Sequence, residues 1–249
     1  MKNFIIIYDF DGTLTKPPLP KYLFIENLGY ENGTQGGKFL NEMKEIQSQT
    51  GKETMHAYID HMMQIIKDNN LQPTLEMLYK GQESLQWNEG VNTFFQTITN
   101  VAKRCNLKLL NYIITGGFAE YVANLEVAKN FSKIYGAEFE VDKEGNIGSV
   151  KKIMFNAMKI DSIKDILKNN GKDNSDCENV IYIGDGLTDK EAMDYVFNRG
   201  GKTIFVHHGN LDIFNAVNEN NIVNYCFEAD YTENGNIVKT ITKIMEQVK

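Results

Sequence analysis

An unbroken run of strand-forming apolar residues, Phe4-Ile5-Ile6-Ile7-Tyr8, stops abruptly at Asp9-Phe10-Asp11-Gly12-Thr13. A continuous apolar run suits a strand covered on both faces, as in a parallel sheet, whereas a strand with one wet face alternates. Three more such runs occupy 109–114, 180–183 and 203–206, and each ends in a polar, turn-like segment. Helical patterns separate them at about 119–133, 160–169 and 190–197, and an amphipathic helix closes the chain near 237–248. This alternation predicts an α/β fold with a doubly wound parallel sheet. Ligands of such sheets bind beyond the carboxyl ends of the strands, which singles out Asp9, Thr115 and Asp185.

Two insertions interrupt the alternation. Residues 16–106 carry helical spacing at 37–49, 53–69 and 74–86 and read as a separate helical cap, leaving 1–15 and 107–249 as the core. Pro17-Pro18-Leu19-Pro20 stiffens the exit from the first strand and suits either a hinge or a plain linker. A shorter insertion, 137–141 and 147–153 around Asp142-Lys143-Glu144-Gly145-Asn146, reads as a hairpin.

The carboxylates carry the chemistry. Asp9 and Asp11, at i and i+2 of an extended chain, project to one side. An isolated Asp-Gly is as often a mere turn. A second acidic turn, Gly184-Asp185-Gly186-Leu187-Thr188-Asp189, follows another buried run and brings carboxylates to the same sheet edge. Four gathered carboxylates repel one another, and a hard divalent cation such as Mg²⁺ is the simplest remedy. At a third strand end Thr115-Gly116-Gly117 offers a hydroxyl and open backbone N–H groups, suited to phosphate oxygens where the chain opens a helix.

These pieces, in this order, resemble the motifs of the haloacid dehalogenase superfamily, and within it the phosphoserine phosphatase-like branch with a helical cap between the first two motifs. The resemblance covers the core and leaves the cap unread. It implies a Rossmann-like core and a Mg²⁺-dependent phosphomonoesterase. Asp9 would be the nucleophile that forms an aspartyl-phosphate, and Asp11 the general acid/base. Thr115, Gly116 and Lys159 would hold the phosphoryl group, and Asp9, Asp11, Asp185 and Asp189 the metal. Lys159 fits the place of the motif lysine, with Lys151, Lys152 and Lys164 as the other candidates. Dehalogenating relatives lack the second Asp, so Asp11 points away from halide displacement. A phosphomutase or phosphotransferase, or a phosphate-binding regulatory protein without turnover, are the alternative readings.

The bulk numbers exclude more than they choose. A net charge of −7 without a Lys/Arg cluster argues against nucleic acid as a partner, while the resemblance implies a small phosphomonoester. The first apolar run breaks too early for a signal peptide, and no 18-residue apolar stretch occurs, so no membrane is expected and the cytoplasm is the expected compartment. Three scattered cysteines suggest neither a disulfide framework nor a zinc site. His56 and His61 read as ordinary helix positions. His207 and His208 follow a strand and read first as a polar loop; the resemblance offers a contact to substrate or to the core loop as the functional alternative.

Overall fold

The computed structural model of the protein describes residues 1–16, 34–52 and 54–248. The Pro17-Pro18-Leu19-Pro20 hinge or linker lies outside the described residues. Among the described residues, seven strands form one sheet in the order β4-β3-β2-β1-β5-β6-β7. They are β1 (Lys2–Tyr8), β2 (Leu107–Phe118), β3 (Lys133–Val141), β4 (Ile147–Lys152), β5 (Val180–Gly184), β6 (Lys202–His207) and β7 (Tyr225–Glu228). All neighbours run parallel except β3 and β4.

β1 lies at the centre because its residues suit burial on both faces: Phe4 through Tyr8 are each 0% exposed. Phe4, Ile6 and Tyr8 enter one hydrophobic layer and Ile5 and Ile7 the other, as the two-residue period requires. The chain departs to β2 on one side of β1 and later to β5 on the other. This reversal opens a crevice above the carboxyl ends of β1, β2 and β5, where Asp9, Thr115 and Asp185 sit.

The helices are α1 (Thr34–Thr50), α2 (Thr54–Asp68), α3 (Leu75–Tyr79), α4 (Val91–Arg104), α5 (Ala119–Ala123), α6 (Asn156–Asn169), α7 (Lys190–Phe197), α8 (Asp212–Val217) and α9 (Asn236–Glu246). α4 buries Val91, Phe94, Phe95, Ile98, Val101 and Ala102, the i, i+3, i+4, i+7 spacing of one helical face. It packs on β2 and α9, and Tyr8 meets Phe94 and Phe95 edge to face. α1 and α2 pack on each other. The chain leaves the core and returns beside itself, in an antiparallel bridge between Thr15 and Trp87.

Two expectations need correction. The helical pattern at 119–133 ends with α5 at Ala123, passes through a 3₁₀ turn at Glu126–Asn130 and gives way to β3 at Lys133. The hairpin expected at 137–141 and 147–153 is formed by β3 and β4, and β3 also pairs in parallel with β2 and so extends the sheet. Thr115-Gly116-Gly117 lies inside β2, at an irregularity between Ile114 and Phe118, so it does not open the helix directly. The glycines permit that departure from regular pairing.

Candidate active site

Four of the residues singled out by the sequence meet in one cluster. Lys159, in the first turn of α6, is 1% exposed, and its Nζ donates to Asp9 Oδ1 at 2.9 Å and to Asp189 Oδ1 at 2.7 Å. Lys151, Lys152 and Lys164 have exposed or half-buried side chains, and Lys151 and Lys164 pair with Glu138 and Asp161. Asp9, Asp185 and Asp189 each offer a carboxylate oxygen, and these three atoms lie within 4.8 Å of one another.

The charges are poorly balanced. Burial, partly offset by Lys159 and reinforced by Asp189 and Asp11, pushes the Asp9 carboxyl up to about 7 from an ordinary 3.8. Burial and then the charges of Asp9 and Asp189 hold Asp185 well above the usual carboxylate range. Burial works against the Lys159 ammonium, but Asp189 and Asp9 outweigh it and hold its pKa well above the usual value. One lysine therefore faces three carboxylates, an excess of negative charge that a cation would relieve.

Asp189 is tightly held. Beyond Lys159, Tyr182 donates its hydroxyl to Oδ1 at 2.7 Å and the Gly186 N–H donates to Oδ2 at 3.1 Å. Asp185 is half-buried and accepts from Thr13 Oγ1 at 2.9 Å. Gly12 lies between these loops with φ +82°, and a Cβ there would fall 2.2 Å from Asp185 Oδ2. Only glycine combines that left-handed backbone with that approach.

Asp11 and Thr115 lie beside the cluster and line a small cavity of about 10 Å³ with Phe10, Gly117, Phe118, Tyr121 and Val122. Thr115 Oγ1 accepts the Gly117 N–H at 2.9 Å. A Cβ built on Gly117 would lie 3.4 Å from Asp11 Oδ2 and 3.3 Å from Thr115 Oγ1, so these two side chains converge. A Cβ built on Gly116 would meet only Met154 O, at 3.7 Å.

Sequence reasoning missed the residues that hold the Asp9 loop. Thr13 O accepts from Asn88 Nδ2 and from the Tyr231 hydroxyl, both at 2.8 Å. His208 Nε2 lies 2.8 Å from Gly12 O, so it contacts the core loop and carries its proton on that nitrogen, since a carbonyl only accepts. Asn88, Tyr182 and Tyr231 gave no sequence signal, because each is an ordinary polar or aromatic residue until its distant partner is known.

This parallel sheet, with acidic turns after β1 and β5, a hydroxyl in β2 and a buried lysine between them, has close structural counterparts. A HAD family hydrolase from Salmonella enterica subsp. enterica serovar Typhi superposes with a TM-score of 0.67 at 16% identity, over 99% of this chain and 73% of that one. The chain has the haloacid dehalogenase fold. A substrate-bound phosphoserine phosphatase matches with a TM-score of 0.64 at 18% identity, over 96% of this chain and 99% of that one. A phosphoserine phosphatase captured as a phospho-aspartyl intermediate analogue matches with a TM-score of 0.62 at 18% identity, over 98% and 99%. No family model and no curated protein matches the sequence. Among the described residues of this haloacid dehalogenase fold, no helix is long and apolar enough to cross a membrane.

Proposed function

We propose that the protein is a Mg²⁺-dependent phosphomonoesterase working through an aspartyl-phosphate on Asp9. The observation that carries this reading is the buried Lys159 ammonium bridging Asp9 and Asp189, with Asp185 beside them at the mouth of the sheet. The counterpart named as a phospho-aspartyl intermediate analogue supports it.

The donors fit Mg²⁺: they are hard carboxylate oxygens, close together, and two of them are driven toward the neutral form, with Lys159 as the one cation offsetting this among the described residues. Asp9 and Asp185 would hold the ion, with Asp11 in the adjoining loop. Asp189, whose oxygens already accept from three donors, is better suited to holding Lys159 than to ligating. When bound, the ion supplies positive charge against the ionised carboxylates and the phosphoryl oxygens.

Lys159 uses Asp9 Oδ1, leaving Oδ2 to attack phosphorus in line as the ester P–O bond breaks. Asp11 gives its proton to the departing alkoxide. It then takes a proton from the water that attacks phosphorus and frees Asp9, a role worth roughly 10² to 10⁴ in rate. Lys159, Thr115 and the backbone at Gly116 would hold the phosphoryl oxygens against their developing charge.

The division into core and cap belongs to the same reading. We place the cap between Lys16 and Gln86 rather than at 16–106, because α4 packs on β2 and α9 beyond the Thr15–Trp87 bridge. The substrate is accordingly a small ester enclosed beneath it, and nucleic acid and membranes are not partners. The test is a panel of small phosphomonoesters with Mg²⁺ and with chelator, beside Asp9→Asn. Metal-dependent turnover lost in the variant supports the proposal, and turnover that survives Asp9→Asn refutes it.

A further inference from the structure

Tyr121 stands out among the residues around Asp11. It is 3% exposed, it lines the cavity shared by Asp11 and Thr115, and its hydroxyl is buried with no hydrogen-bond partner. A buried phenol without a partner is worse than phenylalanine at the same place, because the hydroxyl has given up water and gained nothing. The backbone that carries it is also held in place. Gln82 Nε2 donates to Tyr121 O at 2.8 Å, Asn124 Nδ2 in turn holds Gln82 Oε1 at 2.8 Å, and the ring belongs to the hydrophobic layer that contains Phe118 and Val122.

The space in front of it has a definite size. A cavity of about 10 Å³ accommodates roughly one water-sized group. Asp11 lines the same cavity, and its Oδ2 converges on it from the side of Gly117. A neutral or cationic group that donates a hydrogen bond suits this position, whereas a carboxylate would be repelled.

We infer that Tyr121 is a specificity-determining residue, whose hydroxyl oxygen accepts a hydrogen bond from a hydroxyl or ammonium substituent near the ester oxygen of the leaving alcohol. This rests on the phosphomonoesterase reading and goes beyond it by giving the leaving group a chemistry. Asp11 serves the ester oxygen itself, and Tyr121 reads the atom a short distance along the chain.

The experiment compares three esters of matched size, 2-hydroxyethyl, 2-aminoethyl and propyl phosphate, with Mg²⁺ and full-length protein. p-Nitrophenyl phosphate serves as an independent probe of turnover. The expected result is a higher kcat/KM for at least one polar ester than for the propyl ester. In Tyr121→Phe that ratio falls about 2- to 10-fold for the hydroxyl and by more for the ammonium, where the lost bond is charge-assisted. The melting temperature of the substrate-free variant is unchanged or higher, because an unpartnered hydroxyl is removed, and this separates recognition from a structural role. Equal ratios in wild type and variant, or a lower melting temperature with unaltered ratios, overturn the inference while leaving the phosphatase reading intact. No turnover of any ester, p-nitrophenyl phosphate included, overturns both.

Discussion

Replacing Asp9 by Asn should stabilise the metal-free protein, and more so at high pH. The Asp9 carboxyl titrates near 7 in the folded chain against an ordinary 3.8, so the folded state holds this proton more tightly than the unfolded state does. Below about pH 4 both states are protonated and there is no penalty. As pH rises from about 4 to 7 the unfolded state gains from ionising while the folded state resists, so stability is lost over that window and stays low above it. A shift of about three units at 1.36 kcal/mol each gives a plateau on the order of 4 kcal/mol, of which under about 2 kcal/mol is present at pH 5. Asn mimics the neutral carboxyl, so its advantage should be about 2–3 kcal/mol greater at pH 8 than at pH 5. For a chain of this length that is roughly 5–10 °C of extra melting temperature. Calorimetry in chelator at the two pH values measures it, and added Mg²⁺ should raise the wild-type melting temperature at pH 8 while moving the variant much less. An equal gain at both pH values, or a loss at both, refutes the argument that buried negative charge awaits a cation here.

Other substitutions probe the same site. Lys159→Met leaves Asp9 and Asp189 buried without their ammonium and should cost about 3–5 kcal/mol in denaturant unfolding. Lys159→Arg should not restore activity, since a planar fork does not replace a point charge between two carboxylates. Thr13→Val removes the 2.9 Å bond that orients Asp185 and should weaken Mg²⁺ binding roughly 10-fold or more by calorimetric titration. Gly12→Ala should abolish Mg²⁺ binding because its methyl would displace Asp185, whereas Gly145→Ala, at φ +85° with open space around it, should cost only the strained backbone, about 1–2 kcal/mol.

What the sequence disclosed follows from where information is local. β1 and β5 were legible because complete burial on both faces demands continuous apolar runs. β7, a half-exposed edge strand of four residues, leaves no such run and was not anticipated. The expected helix at 119–133 misread spacing that also permits a turn, and pairing of β3 with β2 decided the outcome over local propensity. Asp9, Asp11, Asp185 and Lys159 could be singled out as candidates because their positions relative to strands and helices are written along the chain. Tyr182, by contrast, looks like one more apolar residue of β5, and only the fold turns its hydroxyl onto Asp189. Tyr231 and Asn88 reach Thr13 across 218 and 75 residues, a relation that no local pattern encodes.

Those distant bonds also explain how the Asp9 loop is kept in place while it carries unfavourable charge. Lys16 N–H donates to Gln86 O at 2.7 Å and Asn88 N–H to Leu14 O at 3.0 Å, so the outgoing and returning chains form a short antiparallel pair. Asn88 then turns its amide onto Thr13 O and Thr15 O, leaving its own Oδ1 buried and unpaired. That orphaned acceptor costs about 1–3 kcal/mol. Against that cost, the two donations, the Tyr231 hydroxyl and the edge-to-face contact of Phe10 with Trp87 all converge on the same few residues. The backbone that presents Asp9, Asp11 and Thr13 is thus braced by the paired segments 14–16 and 86–88, through the Asn88 amide and the Trp87 ring.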